Sequence, residues 1–134
     1  MASVYKNQGE YTKALEFYDK SLAIKLKTFG PEHPSTATTY NNMASVYDNQ
    51  GEYTKALEFY DKSLAIRLKN LGPEHPSTAS TYGNMGVLCY NMEEYKKSFE
   101  YFELALKIRL KSLDPSHPHV TSTQRNIEVV KKKL

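Results

Sequence analysis

The chain has 134 residues, one cysteine and a formal net charge of +3 at pH 7. That length suits one domain, the small positive balance points to neither nucleic acid nor a membrane surface, and the lone thiol, Cys89, cannot staple a fold and suits a reducing, cytoplasmic setting. No apolar run approaches the roughly 18 residues needed to cross a bilayer, and the first residues lack the charged-then-apolar pattern of a secretory signal.

The sequence repeats itself. Residues 1–42 recur as 43–84 with changes only at Lys6/Asp48, Lys25/Arg67, Thr28/Asn70, Phe29/Leu71, Thr38/Ser80 and Asn41/Gly83, and a looser third copy runs from Met85 to Asn126. A fixed period of this size predicts an all-α solenoid, in which each unit buries its apolar face only against its neighbours.

In chain order, the first element expected is a short A helix at Met1–Asn7, followed by a B helix. A full A helix is expected from Pro34 to Asn49, with Ala37, Tyr40, Met43, Ala44 and Tyr47 at the i, i+3, i+4 spacing of one buried stripe. Gln50-Gly51 ends it through a left-handed cap. Helix B follows at about Glu52 to Asn70, with a main stripe of Tyr53, Ala56, Leu57, Tyr60, Leu64, Leu68 and Leu71. Phe59 and Ile66 form a narrower second apolar line, and Glu58 with Lys62 forms an i,i+4 pair on the remaining face. Gly72-Pro73-Glu74-His75-Pro76 then stops helix B and starts the next A helix, because a residue before proline avoids the helical region and proline fits the first helical position. The same linker occupies Gly30–Pro34 and, with Asp114 replacing glycine, Asp114–Pro118. The last helix, Pro118 to about Lys132, has Gln124, Arg125, Glu128, Lys131 and Lys132 and reads as a wetter, capping element. The organisation expected is one repeat domain over 1–134: a truncated repeat at 1–33, repeats at 34–75 and 76–117, and a C-terminal capping helix at 118–134. Met1 aligns with Met43, in mid-helix A, so the first B helix is expected to expose apolar surface. A longer array or self-association would cover that surface.

The tetratricopeptide pattern sets an aromatic, a Leu-Gly and a tyrosine on helix A against an alanine and an aromatic on helix B. Here Tyr40-x2-Met43-Ala44-x2-Tyr47 leads to Ala56-x3-Tyr60, and Tyr82-x2-Met85-Gly86-x2-Cys89 leads to Ser98-x3-Phe102. The sequence resembles tetratricopeptide arrays, and its longer unit with the Gly-Pro-x-His-Pro link resembles the repeats of kinesin light chains. The resemblance implies a right-handed superhelix whose A helices line a concave peptide-binding groove. It does not imply a motor role, since these residues hold no counterpart of the heptad coiled coil through which kinesin light chains join the motor.

The residues support that groove independently. Thr38, Asn41, Ser45 and Asp48 form a polar stripe on the second A helix. The matching positions are Ser3 and Lys6, then Ser80, Gly83, Val87 and Tyr90, then Ser122, Arg125, Val129 and Lys132. Three of the six changes between the near-identical copies fall on this stripe, where packing imposes least. The expected ligand-contacting residues are Lys6, Asn7, Asn41, Ser45, Asp48, Asn49, Val87, Tyr90, Asn91, Arg125 and Lys132. Asn7, Asn49 and Asn91 also fit helix termination equally well. Asn42, Asn84 and Asn126 are expected to bond the preceding B helix, the alternative being an amide ladder for a peptide backbone.

The linker histidines His33, His75 and His117 recur one per repeat, as a structural turn would, and three or four converging ligands are needed for a metal. No catalytic constellation, phosphate loop or cofactor motif stands out. The function expected is a non-catalytic scaffold for a protein or peptide ligand, without cofactor, metal, nucleic acid or membrane. The alternative is a structural unit that self-associates through its truncated N-terminal face.

Overall fold

The computed structural model describes residues 2–134, with side chains described from Gly9 onward. Six helices follow in order: α1 (Ala2–Thr28), α2 (Pro34–Asn49), α3 (Tyr53–Leu71), α4 (Pro76–Asn91), α5 (Tyr95–Ser112) and α6 (Pro118–Lys131). No strand occurs among the described residues. The backbone divides into two compact units, Met1–Ile66 and Arg67–Leu134, and α3 runs through the boundary.

The three A helices α2, α4 and α6 begin alike. His33, His75 and His117 are N-caps in extended backbone, each followed by proline in the first turn. Each ring Nδ1 accepts the backbone N–H two residues on, from Ser35, Ser77 and His119 respectively, at 3.0 Å. The imidazole thus does the work usually given to a serine or aspartate oxygen, satisfying one of the four orphan donors at a helix start.

The first element departs from expectation. The separate short A helix ending at Asn7 does not form; α1 is one continuous helix of 27 residues that runs through Gly9. The segment Asn49–Tyr53 repeats the residues of Asn7–Tyr11 letter for letter, yet there Gly51 turns at φ +81° and the Glu52 N–H reaches back to the Tyr47 carbonyl. Glycine inside a helix costs only about 1 kcal/mol against alanine. A turn at this point is stable when helix A can fold back onto helix B, as α2 does on α3 through the stack of Tyr47 on Phe59. In α1 the helix runs straight on through Gly9.

The expected exposure of the first B helix is present. Phe17 and Ile24 of α1 are 68% and 65% exposed, whereas Ile66, one period after Ile24, is 6% exposed. In α3 the deepest residues are Ala56, Tyr60, Ser63 and Ile66, while Leu57, Leu64 and Leu68 of the expected main stripe are half-buried. Ala56 and Tyr60 thus keep the place expected of the main stripe, while Ile66 of the second line lies deeper than Leu64 and Leu68, and Phe59 is half-buried. Lys62 also departs from its expected pairing with Glu58. Its Nζ lies 5.5 Å above the Tyr40 ring and 5.1 Å above Phe59, and this cation–π placement takes the ammonium away from the carboxylate.

Each B helix is stitched to the following A helix by one cation. Lys25 donates to Thr39 Oγ1 at 2.8 Å and to the Ser35 carbonyl at 3.2 Å. Arg67 donates to Thr81 Oγ1 at 2.6 Å and to the Ser77 carbonyl at 3.3 Å, and Arg109 donates to Thr123 Oγ1 at 2.6 Å. These bonds explain why Thr39, Thr81 and Thr123 are buried on helices whose stripe looked purely apolar.

Candidate functional site: the cleft between α4 and α6

In the second unit α4 and α6 both pack beside α5, and a cleft opens between them. Phe102 of α5, 3% exposed, forms its floor with Val130; Val87 and Tyr90 of α4 and Asn126 and Val129 of α6 line its sides. Its volume is about 180 Å³, below the roughly 300–1,000 Å³ of sites for drug-sized ligands and cofactors. It has room for a side chain. Val87 and Val129 are each 42% exposed, so the apolar walls face solvent.

The position of the floor is set by a small-for-large exchange. Phe102 packs with Ile127 and Val130. A methyl group at Gly86 would stand 2.7 Å from the Phe102 ring, so glycine there is what lets the ring close on α4. Ser98 fixes the same crossing by donating to the Gly86 carbonyl at 2.6 Å. Tyr90 is held edge-on against Tyr95, with ring centroids 5.4 Å apart.

One period earlier the same three positions carry Ser45, Asp48 and Tyr60. There the Tyr60 phenol is 2% exposed, and its pKa is pushed up to about 12, first by burial and then by the Asp48 charge, with the hydrogen bond to the Ser45 hydroxyl pulling the other way. Ser45 and Asp48 are thus engaged with the B helix beneath them. In the third copy Phe102 has no hydroxyl to satisfy, and Val87 and Tyr90 replace the groups that served it. A polar cluster becomes an open apolar cleft on an otherwise matching scaffold.

The remaining expected ligand contacts fall as follows. Lys6 and Asn7 lie outside the residues whose side chains are described. Asn41 and Asp48 on α2 are half-buried, and Asn49 is exposed at its end. In the second unit Asn91 is exposed at the end of α4, and Arg125 and Lys132 are exposed on either side of Val129, at i−4 and i+3. Val87, Tyr90, Arg125 and Lys132 therefore share one unit, with the cleft between their helices. Asn126 lines the cleft.

Phe102, the floor, reads in the sequence only as a repeat aromatic, and Val129, placed on the stripe but not among the expected contacts, is a wall; outside the cleft, the Arg109 guanidinium lies 3.7 Å from where a side chain at Gly83 would begin. Alignment at the repeat period carries the signal for all three. Ser45 becomes Val87 and Val129, Tyr60 becomes Phe102, and position 25 stays basic as Lys25, Arg67 and Arg109. Burial holds the Arg109 guanidinium below its ordinary pKa. Among the described residues no group of three or more His, Cys, Asp or Glu side chains lies close enough to hold a metal, and Cys89 is buried.

Antiparallel helix pairs at one fixed period, with an apolar cleft between successive A helices, define a helical-repeat interaction module. The tetratricopeptide repeat family model matches residues 1–69 and 37–111. The chain belongs to the tetratricopeptide repeat family, in its kinesin light chain-like form, and its fold class is the all-α repeat solenoid. Among solved structures it is similar to BtubC (BKLC) from P. vanneervenii, at 29% identity and a TM-score of 0.85 over 98% of this chain and 53% of that one. It is also similar to a Podosopora anserina protein described as carrying nearly identical kinesin light chain TPR-like repeats, at 26% identity and a TM-score of 0.85 over 98% of this chain and 63% of that one. The chain thus spans between half and two thirds of these relatives. No curated protein matched the sequence. Repeats of this family generally mediate protein–protein interaction, and the fold is typically a non-catalytic scaffold.

Proposed function

We propose that the chain is a non-catalytic scaffold that binds a peptide segment on its A-helix faces, anchored by one apolar or aromatic ligand side chain in the cleft over Phe102. The observation that carries this reading is the exchange of Ser45, Asp48 and Tyr60 for Val87, Tyr90 and Phe102, which exposes apolar surface where the neighbouring copy spends it on polar contacts. Exposed apolar wall lined by a polar rim is the mark of an interaction site. Arg125 and Lys132 flank the cleft and favour a ligand with acidic residues beside its anchor; such rim charges act mainly on association rate and salt sensitivity, while the anchor supplies most of the affinity. In its own unit, α2 offers Asn41 and Asn49 as polar contacts.

A peptide-array screen followed by chemical-shift mapping tests this. The expected result is that recovered peptides share an apolar or aromatic residue near acidic ones and shift Val87, Tyr90 and Val129. Binding that survives Val87→Ser with Tyr90→Asp, the residues of the neighbouring copy, contradicts the reading.

Self-association is a second reading, favoured by the exposure of Phe17, Ile24 and Phe29 on and after α1. End-to-end stacking is its weaker form, because the α6 face aligned with the B-helix-facing side of α2 carries Gln124, Glu128 and Lys131, all exposed. Sedimentation against concentration separates the readings: a monomer that still binds peptide supports the scaffold.

A further inference from the structure

A second recess, sharing no residue with the cleft over Phe102, lies where α4, α5 and the linker between α3 and α4 meet. Tyr82, Leu104 and Ile108 supply its apolar lining, Glu74, Lys107 and Lys111 its charged edge, and its volume is about 160 Å³. Its origin is again a departure from the repeat. One period earlier Lys62 caps the Tyr40 and Phe59 rings from above, and Ala65 stands one turn on. In the third copy Lys62 becomes Leu104, Ala65 becomes Lys107 and Phe59 becomes Tyr101. The Tyr82–Tyr101 stack persists, with centroids 6.1 Å apart, but the residue above it is now an apolar side chain that is 42% exposed. The cation has moved one turn along α5 to the rim.

The rim has a direction. Lys111 is salt-bridged to Glu74, whose carboxyl sits below the usual range because of that lysine and, more weakly, of Lys107. Lys107 itself is in no salt bridge among the described residues. Glu100 and Glu103 lie beside Leu104 and Lys107 on the same surface. A recess of this size accepts one aliphatic side chain rather than a drug-sized molecule. Lys107 favours a carboxylate at one edge, and Glu100 and Glu103 repel it from the other. We propose that this recess docks a partner-protein segment through a leucine-like side chain next to an acidic residue, with the acid placed over Lys107.

The test uses the whole chain, labelled at its methyl groups, titrated with two probes: acetyl-Leu-Glu-amide and acetyl-Leu-Gln-amide. The expected result is saturable shifts at Leu104 and Ile108, with the glutamate probe about threefold tighter, the scale of one exposed ion pair. That preference disappears in Lys107→Ala, and binding disappears in Leu104→Lys. Both variants carry the residue of the preceding repeat and so keep a packing that the chain already uses. Tyr90→Ala leaves these shifts unchanged, which separates this recess from the cleft over Phe102. Equal affinity for the two probes in the parent chain, shifts confined to Val87 and Val129, or undiminished binding by Leu104→Lys overturns the proposal.

Discussion

At the residue scale the copies act as controls for one another. The turn between α4 and α5 repeats that between α2 and α3, but Glu93 takes the place of Gly51 and holds φ at +64°. A side chain in that region costs roughly 1–2 kcal/mol, because its Cβ crowds the next carbonyl. Glu93→Gly is therefore expected to raise unfolding free energy by about 1 kcal/mol, part of the gain being offset by the freer unfolded chain; a loss in urea denaturation would show that the Glu93 side chain has a structural role. The third linker differs in the same way. Asp114 stands where glycine ends the earlier B helices, and its carboxylate accepts the Ser116 N–H at 2.9 Å and the Ser116 hydroxyl at 2.7 Å. These bonds, the backbone one first, hold its pKa below the ordinary aspartate range, with the nearby His117 as a smaller cause. A depressed carboxyl stabilises the fold fully above the unfolded pKa, and that contribution is lost as pH falls through the lowered value. Side-chain carboxyl shifts followed through an acid titration should place the Asp114 midpoint below that of an unperturbed aspartate; an ordinary midpoint would remove this linker from the acid response.

At the element scale, local sequence set most helix limits. The starts of α2, α4 and α6 follow from His-Pro, and α2 matches its expected span of Pro34–Asn49. What local sequence left open is tertiary. The same residues around Gly9 and Gly51 form a helix in one place and a turn in the other, and the turn goes with the packing of α2 back onto α3. The rank of Leu64 against Ile66 depends on which neighbour each meets, and hydrophobic spacing alone does not encode that. The stitching cation was visible only as a basic residue recurring at the period. Its importance has a direct test. Arg67 is 9% exposed and bonds both Thr81 and the Ser77 carbonyl, so Arg67→Ala should cost about 2–3 kcal/mol, the scale of a charged hydrogen bond with a buried acceptor left behind. Arg67→Lys should cost less than about 1 kcal/mol, since Lys25 already makes both bonds in the first repeat. Equal losses in thermal melts would mean that guanidinium packing, not the donated bonds, is what counts.

At the scale of the whole molecule, stability in a repeat array is a sum over units and their nearest neighbours. Helix α1 leaves Phe17 and Ile24 in solvent, whereas α5 lies against both α4 and α6. Amide exchange should then be faster along α1 than along α5, and protection of α1 equal to that of α5 would imply that its apolar face is covered in solution. The fold class and family were legible in the period and in the Tyr-x2-Met-Ala-x2-Tyr signature. The candidate site was half legible: Val87, Tyr90, Arg125 and Lys132 could be placed on one stripe, but a stripe does not show depth. The cleft exists because Phe102 presses against Gly86, a contact between helices that no single-helix pattern reveals. The central claim is that this cleft is where a ligand is anchored. Its most direct test is calorimetric titration of a peptide recovered by screening against Tyr90→Ala, with folding checked by circular dichroism. The account predicts a loss of about 2 kcal/mol for Tyr90→Ala, as for a buried aromatic anchor, and less than about 1 kcal/mol for the rim variant Lys132→Ala. Parent-like binding by Tyr90→Ala, together with loss of binding in Glu58→Ala on the exposed side of α3, would contradict it.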